Sequence, residues 1–347
     1  MIHVMIMAGG KGTRFWPLSR QHKPKQFLSI LGDKSLIETT LSRVDHLADQ
    51  QKTWILGSAA HQANLTNLTA AADSTLLLEP CGRNTAACIT WGAFEALKDD
   101  PNAICVVLSA DAWIDSTVGF HHTIQQAIEV VKQHDRLVTI GIPPTRPHTG
   151  YGYIQVADTN DDVFSVTSFT EKPTFEQAQT YLDTGSYYWN AGMFVWRAKH
   201  ILACIKKHLP AHHQIIQSFT SQNIKDPHEL LAYYERLEPI SIDYGVLEHE
   251  TNNMMLLPAG FAWDDIGNWS SLASYLPQDK AHNATNSDVL AVNSHRNIVF
   301  TDHHKKVILG HVDDLIVVDT ADALLILPKE HDQSIKQIYD KLESELQ

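Results

Sequence analysis

In its first half the 347-residue chain alternates short apolar runs with segments of helical periodicity. Strand candidates are His3–Met7, Thr53–Leu56, Thr75–Leu78, Ile104–Leu108 and Leu137–Ile140. Helical segments lie between them, such as Ser35–Leu47, where Leu36, Ile37, Thr40, Leu41 and Val44 fall on one face. This β-α-β-α order predicts an α/β fold built on a mostly parallel sheet covered on both sides. Open sheets of that kind bind ligands beyond the carboxyl ends of their strands. Four polar clusters stand directly after strands: Gly9–Arg14, Gly57–Ala60, Glu79–Thr85 and Ser109–Asp111. The unusual residues therefore gather on the edge where a site is expected.

From Gly150 the pattern changes. YGYIQV and VFSVTSFTEK read as a strand pair beside the parallel core, followed by a helix near Thr174–Leu182. WNAGMFVW and MMLLP read as two further strands. After about Pro277 come VLAVN, NIVFT, KVILG, LIVVD and ALLIL, short strands separated by turn residues. These predict a small all-β unit curled like a β-helix, closed by an amphipathic helix over Gln333–Leu346. The boundaries read from the sequence are 1–277 for the first domain and 283–347 for the β domain. No sequence repeat is evident.

The first cluster sits in MAGGKGTRFWPLSRQHKPKQF, Met7 to Phe27. It is not a P-loop, because Gly10-Lys11 is followed by Gly12 where a hydroxyl should bind magnesium. Nor is it a dinucleotide fingerprint, because the third glycine position is Phe15. What remains is a glycine loop whose successive backbone N–H groups can surround an anion. The chain carries 27 Lys+Arg against 40 Asp+Glu, a formal net charge of -13. Yet residues 1–32 hold Lys11, Arg14, Arg20, Lys23 and Lys25 and no acid. A cationic island in an acidic chain points to a local anion site and away from a surface that coats nucleic acid.

No window has the apolar length of a membrane span, and MIHVMIMAGG reads as a buried strand, not a signal peptide. Cys81, Cys88, Cys105 and Cys204 form no Cys-x-x-Cys pair, which fits reduced thiols in a cytoplasmic protein. Of the 20 histidines, the i, i+4 pair His208 and His212 has Pro210 between its members, which breaks a shared helical face. No histidine is assigned a metal.

Taken together, the clusters resemble the mannose-1-phosphate guanylyltransferases (GDP-mannose pyrophosphorylases) of the sugar nucleotidyltransferase superfamily. AGGKGTRFWPLSRQHKPKQF is similar to the family signature, EPCGRNTAA to its nucleotide-side segment, and TGYGYIQ, FTEKP and WNAGMFVW to its sugar-side segments. SIDYGVLE and WDDIGNWSSL resemble its last site motifs. The opening signature marks the superfamily, and the ordered set of seven is far more specific. Three departures stand out: Ala112 after Ser109-Ala110-Asp111, Asp264 and Ile266 in Trp263–Gly267, and Ala87 after Arg83–Ala86. Long relatives carry an added isomerase domain, and a chain of this length is expected to lack one.

The resemblance implies a Rossmann-like nucleotidyltransferase domain that joins GTP to a sugar 1-phosphate and releases pyrophosphate, with Mg²⁺ as cofactor. It places Ala8, Gly9, Gly10, Lys11, Gly12, Thr13 and Arg14 on the nucleotide, with Glu79, Arg83, Asn84 and Ser109 completing that side. Lys25, Gly152, Glu171, Lys172 and Asn190 are expected on the sugar phosphate. Asp111 and Asp265 are expected to hold the metal, with Asp264 as a substitute or assistant. Arg14, Lys25, Asp111 and Asp265 form the catalytic set. The chemistry asks for such residues, since each pair of unit charges at about 4 Å costs about 4 kcal/mol at an effective dielectric near 20. Fixed cations, a divalent metal and backbone donors meet that need better than a general acid or base. Arg20 and Lys23 read as surface or outlying residues, Trp189, Trp263 and Trp269 as core, and Asp243 as a helix cap.

The expected partners are GTP and mannose 1-phosphate, without nucleic acid or membrane, and a homodimer is compatible with the sequence. Another hexose or heptose 1-phosphate is the alternative acceptor. A non-catalytic nucleotide-sugar-binding subunit is the rival class, favoured by Ala112 and opposed by Arg14, Lys25, Asp111 and Asp265. A nicotinamide-dependent oxidoreductase is opposed by Phe15.

Overall fold

Each apolar run of the first half forms a strand in the computed structural model, which describes residues 1–10, 12–48, 50–72, 74–157, 162–303 and 305–346. The strands are β1 (Ile2–Met7), β2 (Gln51–Ser58), β3 (Ser74–Glu79), β4 (Ile104–Ser109), β5 (Leu137–Ile142), β6 (Tyr153–Val156), β7 (Phe164–Thr170), β8 (Tyr187–Arg197) and β9 (Met254–Pro258). The chain falls into two compact units. Met1–Gly9, Leu41–Ala110 and Ile114–Trp263 make the first, and Gly10–Thr40, Asp111–Trp113 and Asp264–Gln347 the second.

In the first unit the nine strands form one sheet of order β3-β2-β1-β4-β8-β5-β9-β7-β6. β1 pairs in parallel with β2 and with β4, aligning Met7 with Ser109. The chain leaves β1 toward β2 on one side and reaches β4 on the other, so β1 and β4 flank a switch point of the kind where ligands bind. The sequence reading missed that β8 runs antiparallel between β4 and β5. Its Met193, Phe194, Val195 and Trp196 are all buried, as suits a strand covered on both faces, and such a strand gives no directional signal. Helix α1 (Asn84–Asp99) turns Ala86, Ile89, Ala93 and Ala96 onto the core formed by Met5, Leu56, Cys105, Val107, Phe194 and Trp196.

The second unit holds β10 (Ala284–Thr285), β11 (Val289–Val292), β12 (Ile298–Thr301), β13 (Val307–Gly310), β14 (Leu315–Asp319) and β15 (Leu324–Pro328). β10, β12 and β14 stack in parallel, β11 and β13 form a second parallel pair, and β15 closes the stack antiparallel to β14. The full coil is 18 residues long, the interval across which His295 N–H donates to Asp313 and Val312 N–H to Ser294. Arg296 reaches Asp314 with a two-pronged contact of 2.9 and 2.6 Å over the same step. The period escapes a search for repeats because successive coils share positions and not residue types. Along β12, Ile298 and Phe300 face one core while Val299 faces another, with Leu309 and Val317 inside the coil.

The terminal helix is shorter than expected, α2 spanning only Ile335–Tyr339 after a 3₁₀ segment at Lys329–Ser334. Asp340, Glu343 and Glu345 follow it, and acids at a helix carboxyl end oppose its dipole. Among the described residues no helix is long and apolar enough to cross a membrane.

Candidate active site

The glycine loop belongs to the second unit from Gly10 onward. Gly12 has φ +58, and a Cβ there would stand 2.6 Å from both the backbone N and the Cβ of Lys25. Only glycine allows this turn and this approach. Thr13–Phe15 form one 3₁₀ turn, with Phe15 buried and Arg14 exposed. Lys11 lies outside the described residues.

Lys25 starts a second 3₁₀ turn, Lys25–Phe27, and its side chain is 8% exposed. Its ammonium donates to Asp111 Oδ2 at 2.8 Å, to the Asp111 carbonyl at 3.1 Å and to the Asp265 carbonyl at 2.5 Å. An ammonium has three N–H groups, and here all three have protein acceptors. One lysine thus ties together two segments that lie 86 and 240 residues away in sequence. Asp111 keeps 34% of its side chain exposed.

The turn that carries Asp265 is built by its neighbours. Asp264 is buried and its Oδ1 accepts from the Ile266 N–H at 2.7 Å. Asp264 therefore shapes the turn through one of its carboxylate oxygens. Ile266 is fully buried at φ +41, a left-handed conformation that β-branched residues rarely adopt. Strain of this kind, of order 1–3 kcal/mol, collects at functional sites.

The donors suit a hard divalent cation. Asp111 and Asp265 bring carboxylates of the kind Mg²⁺ takes, one or two from protein with phosphate oxygens and water completing its shell. No group of three or more His, Cys, Asp or Glu side chains that could hold a metal occurs among the described residues.

Arg20 differs from its sequence reading. It is buried, its guanidinium donates to the Pro17 carbonyl, and it pairs with Asp322 at 2.7 Å. Phe15, Trp16, Leu28 and Ile30 join one core with Ile298, Phe300, Ile316, Val318 and Leu327. The loop after the glycines is thus held by the β-coil, and Arg20 is one of its fasteners.

In the first unit, Ala8 is buried with its N–H on the Leu56 carbonyl at 2.8 Å, and Gly9 follows it. Glu79 ends β3, where its Oε2 is 3.9 Å from the Cβ position of Gly9. Glu79 is 7% exposed, with the buried Tyr234 hydroxyl as its neighbour. Burial pushes its carboxyl up to about 8. Arg83 spends its guanidinium on the carbonyls of Tyr234 and Glu235, at 2.9 and 3.2 Å, so it braces the loop. Asn84 is exposed at φ +63, with Oδ1 on the Thr85 N–H, and the Thr85 hydroxyl accepts from Ile242 N–H at 2.9 Å. Ser109 ends β4 beside Met7.

The raised Glu79 carboxyl has a consequence for stability. A group whose folded value exceeds its unfolded value of 4.5 stabilises fully below that pH and loses its contribution as pH rises through about 8. Wild-type stability should fall relative to Glu79→Gln between about pH 5 and 9. Denaturant midpoints measured across that range check it, and parallel curves for the two proteins would count against a neutral Glu79.

The sugar-side residues form one cluster in the same unit. A Cβ at Gly152 would overlap Glu171 Oε2 and stand 3.3 Å from Asn190 Cβ, so a side chain there would push both away. Glu171 pairs with Lys172 at 2.9 Å, and its N–H donates to Glu248 at 3.1 Å. Asn190 N–H donates to the Gly152 carbonyl at 2.8 Å. Asn190 Nδ2 donates to Asp243 Oδ1 at 2.8 Å. Asp243 is not the cap of its short helix α3 (Ile242–Gly245), because Ser241 fills that place through its hydroxyl. Burial and then Glu171 push the Asp243 carboxyl up to about 6. Trp189 and Trp269 are buried as expected, while Trp263 is half-buried against Tyr151 at 5.3 Å between ring centroids.

By its family model the chain is a nucleotidyltransferase. The Nucleotidyl transferase family model matches residues 3–282, and that of the MannoseP isomerase/GMP-like beta-helix domain matches 287–342. A mannose-1-phosphate guanylyltransferase of Salmonella muenchen is 36% identical over 98% of this chain and 73% of its own length. One from Escherichia coli is 34% identical over 99% of this chain and 74% of its own. A solved structure from Thermus thermophilus, described as a mannose-1-phosphate geranyltransferase, superposes with a TM-score of 0.89 at 31% identity, covering 98% of both chains. The chain belongs to the mannose-1-phosphate guanylyltransferase family.

Proposed function

We propose that this enzyme transfers GMP from GTP to α-D-mannose 1-phosphate, giving GDP-mannose and pyrophosphate. A phosphate oxygen of the sugar attacks the α-phosphorus of GTP. A new P–O bond forms as the bond to the β-phosphate breaks, and the electron pair leaves with pyrophosphate. The attacking oxygen is already anionic, so no general base is required. The convergence of Lys25, Asp111 and Asp265, from three separate motifs, carries this reading.

Each group then has a task that its chemistry suits. Gly10, Gly12 and Thr13 offer backbone donors to phosphate oxygens. Arg14 presents a planar, bidentate donor pair for charge that develops on pyrophosphate. Lys25 adds a fixed positive charge and holds the two aspartate segments together. Glu79, at the end of β3 beside Gly9, meets the base. Gly152, Glu171, Lys172 and Asn190 receive the sugar and its phosphate. A divalent cation such as Mg²⁺, held by Asp111 and Asp265, supplies neutralisation of phosphate charge when bound. The free thiols Cys81, Cys88, Cys105 and Cys204 suit a reducing, cytoplasmic setting.

Pyrophosphate release from GTP with mannose 1-phosphate, with and without Mg²⁺, tests the whole reading. Rapid release that requires both substrates and the cation is expected, with GTP strongly preferred to ATP and UTP in competition. Equal rates with ATP would remove the base assignment, and no release would return the chain to a binding role.

A further inference from the structure

Asn190 has a side chain whose orientation is fixed from two sides. Its Nδ2 donates to Asp243 Oδ1 at 2.8 Å, and its Oδ1 accepts from the Gly192 N–H at 3.1 Å. A carboxylate only accepts and a backbone N–H only donates. A flipped carboxamide would face oxygen with carboxylate and nitrogen with N–H, so the two contacts select one orientation. One N–H and one lone pair of the amide remain uncommitted in these contacts.

Those remaining groups stand in the sugar-side cluster. The Asn190 backbone is joined to Gly152, and the space left by the missing Cβ of Gly152 is bordered by Glu171 Oε2 and Asn190. Asp243 comes from a different segment, and its own helix does not need it, since Ser241 supplies the cap. The same segment reaches Glu171 through Glu248, which accepts the Glu171 N–H at 3.1 Å. Residues 241–248 therefore hold the Asn190 side chain and the Glu171 backbone.

We infer that Asp243 is a positioning residue for sugar recognition: by fixing the Asn190 amide, it sets which hydroxyl donors and acceptors of a hexose 1-phosphate the site can match. The inference rests on the sugar-site reading above. A sugar hydroxyl both donates and accepts, so an amide held in one orientation distinguishes ring configurations that a freely flipping amide would not.

The test uses the full chain with Asp243→Asn. An asparagine at this position can donate or accept, so the carboxylate's share of the selection is lost and the Gly192 N–H is left to hold the amide, while volume is kept. The KM for mannose 1-phosphate should rise about tenfold, as a charge-assisted hydrogen bond gives way to a neutral one, while the KM for GTP and kcat stay within about threefold. Asn190→Ala combined with D243N should be no worse than Asn190→Ala alone, because Asp243 acts through that amide. Where D243N fails to fold, Asp243→Ala carries the same expectations. An unchanged sugar KM in D243N, or independent effects in the double variant, overturns the positioning role alone. A wild type with no saturable dependence on mannose 1-phosphate overturns the sugar-site reading and this inference with it.

Discussion

Asp111→Asn and Asp265→Asn should each lower turnover by roughly 10²–10⁴-fold, the equivalent of about 3–5 kcal/mol of lost charge stabilisation. The structure indicates why the fold should survive both changes. Asparagine at 111 still offers an oxygen to the Lys25 ammonium, and Asp265 holds that ammonium through its backbone carbonyl, which substitution leaves in place. Thermal midpoints should therefore move little. Binding of Mn²⁺ followed by its electron-spin resonance gives a readout apart from activity, and both variants should bind more weakly than wild type. Asp264→Asn is the control, since its amide oxygen can still accept from the Ile266 N–H. Near-normal turnover of both 111 and 265 variants at saturating Mg²⁺ would remove the metal assignment.

The contrast between Asp264 and Asp265 shows where sequence reading stops. Two adjacent aspartates look alike in a motif, and the turn gives Asp264 a backbone N–H while the Asp265 carbonyl meets the Lys25 ammonium. Asp243 is illegible for a similar reason. Its position after a serine at the start of a helix carries a local explanation, and the partner that matters is 53 residues away on β8. Arg20 shows the reverse case. A cation beside a glycine loop reads as solvated, yet a turn of the β-coil 302 residues later takes its charge. The strands themselves are plain, because β1, β2 and β4 are continuous apolar runs with polar ends. Their direction is less so, as β8 shows, because a strand buried on both faces has the same pattern whichever way it runs. Motifs thus mark which residues matter, and only long-range contacts say how each is used.

Lys25→Ala should reduce kcat as well as raise KM. Removing one charge-assisted contact of about 1.5–3 kcal/mol corresponds to roughly ten- to over a hundredfold in kcat/KM. A cation used equally by bound substrate and transition state would change KM alone. Lys25 is not such a cation, because its ammonium also holds the 111 and 265 segments, so its loss disturbs the placement of both carboxylates. Lys25→Arg should recover little. The side chain is buried, the Gly12 backbone is packed against its Cβ, and a guanidinium fork is larger and cannot reproduce three donors radiating from one nitrogen. Lys23→Ala is the internal control: this residue is exposed and its backbone, not its ammonium, pairs with Arg20. It should stay within about threefold of wild type, as surface changes usually do. If Lys23→Ala abolishes turnover while Lys25→Ala keeps it, the ammonium that serves the reaction is the wrong one of the two, and the role given to the buried lysine falls.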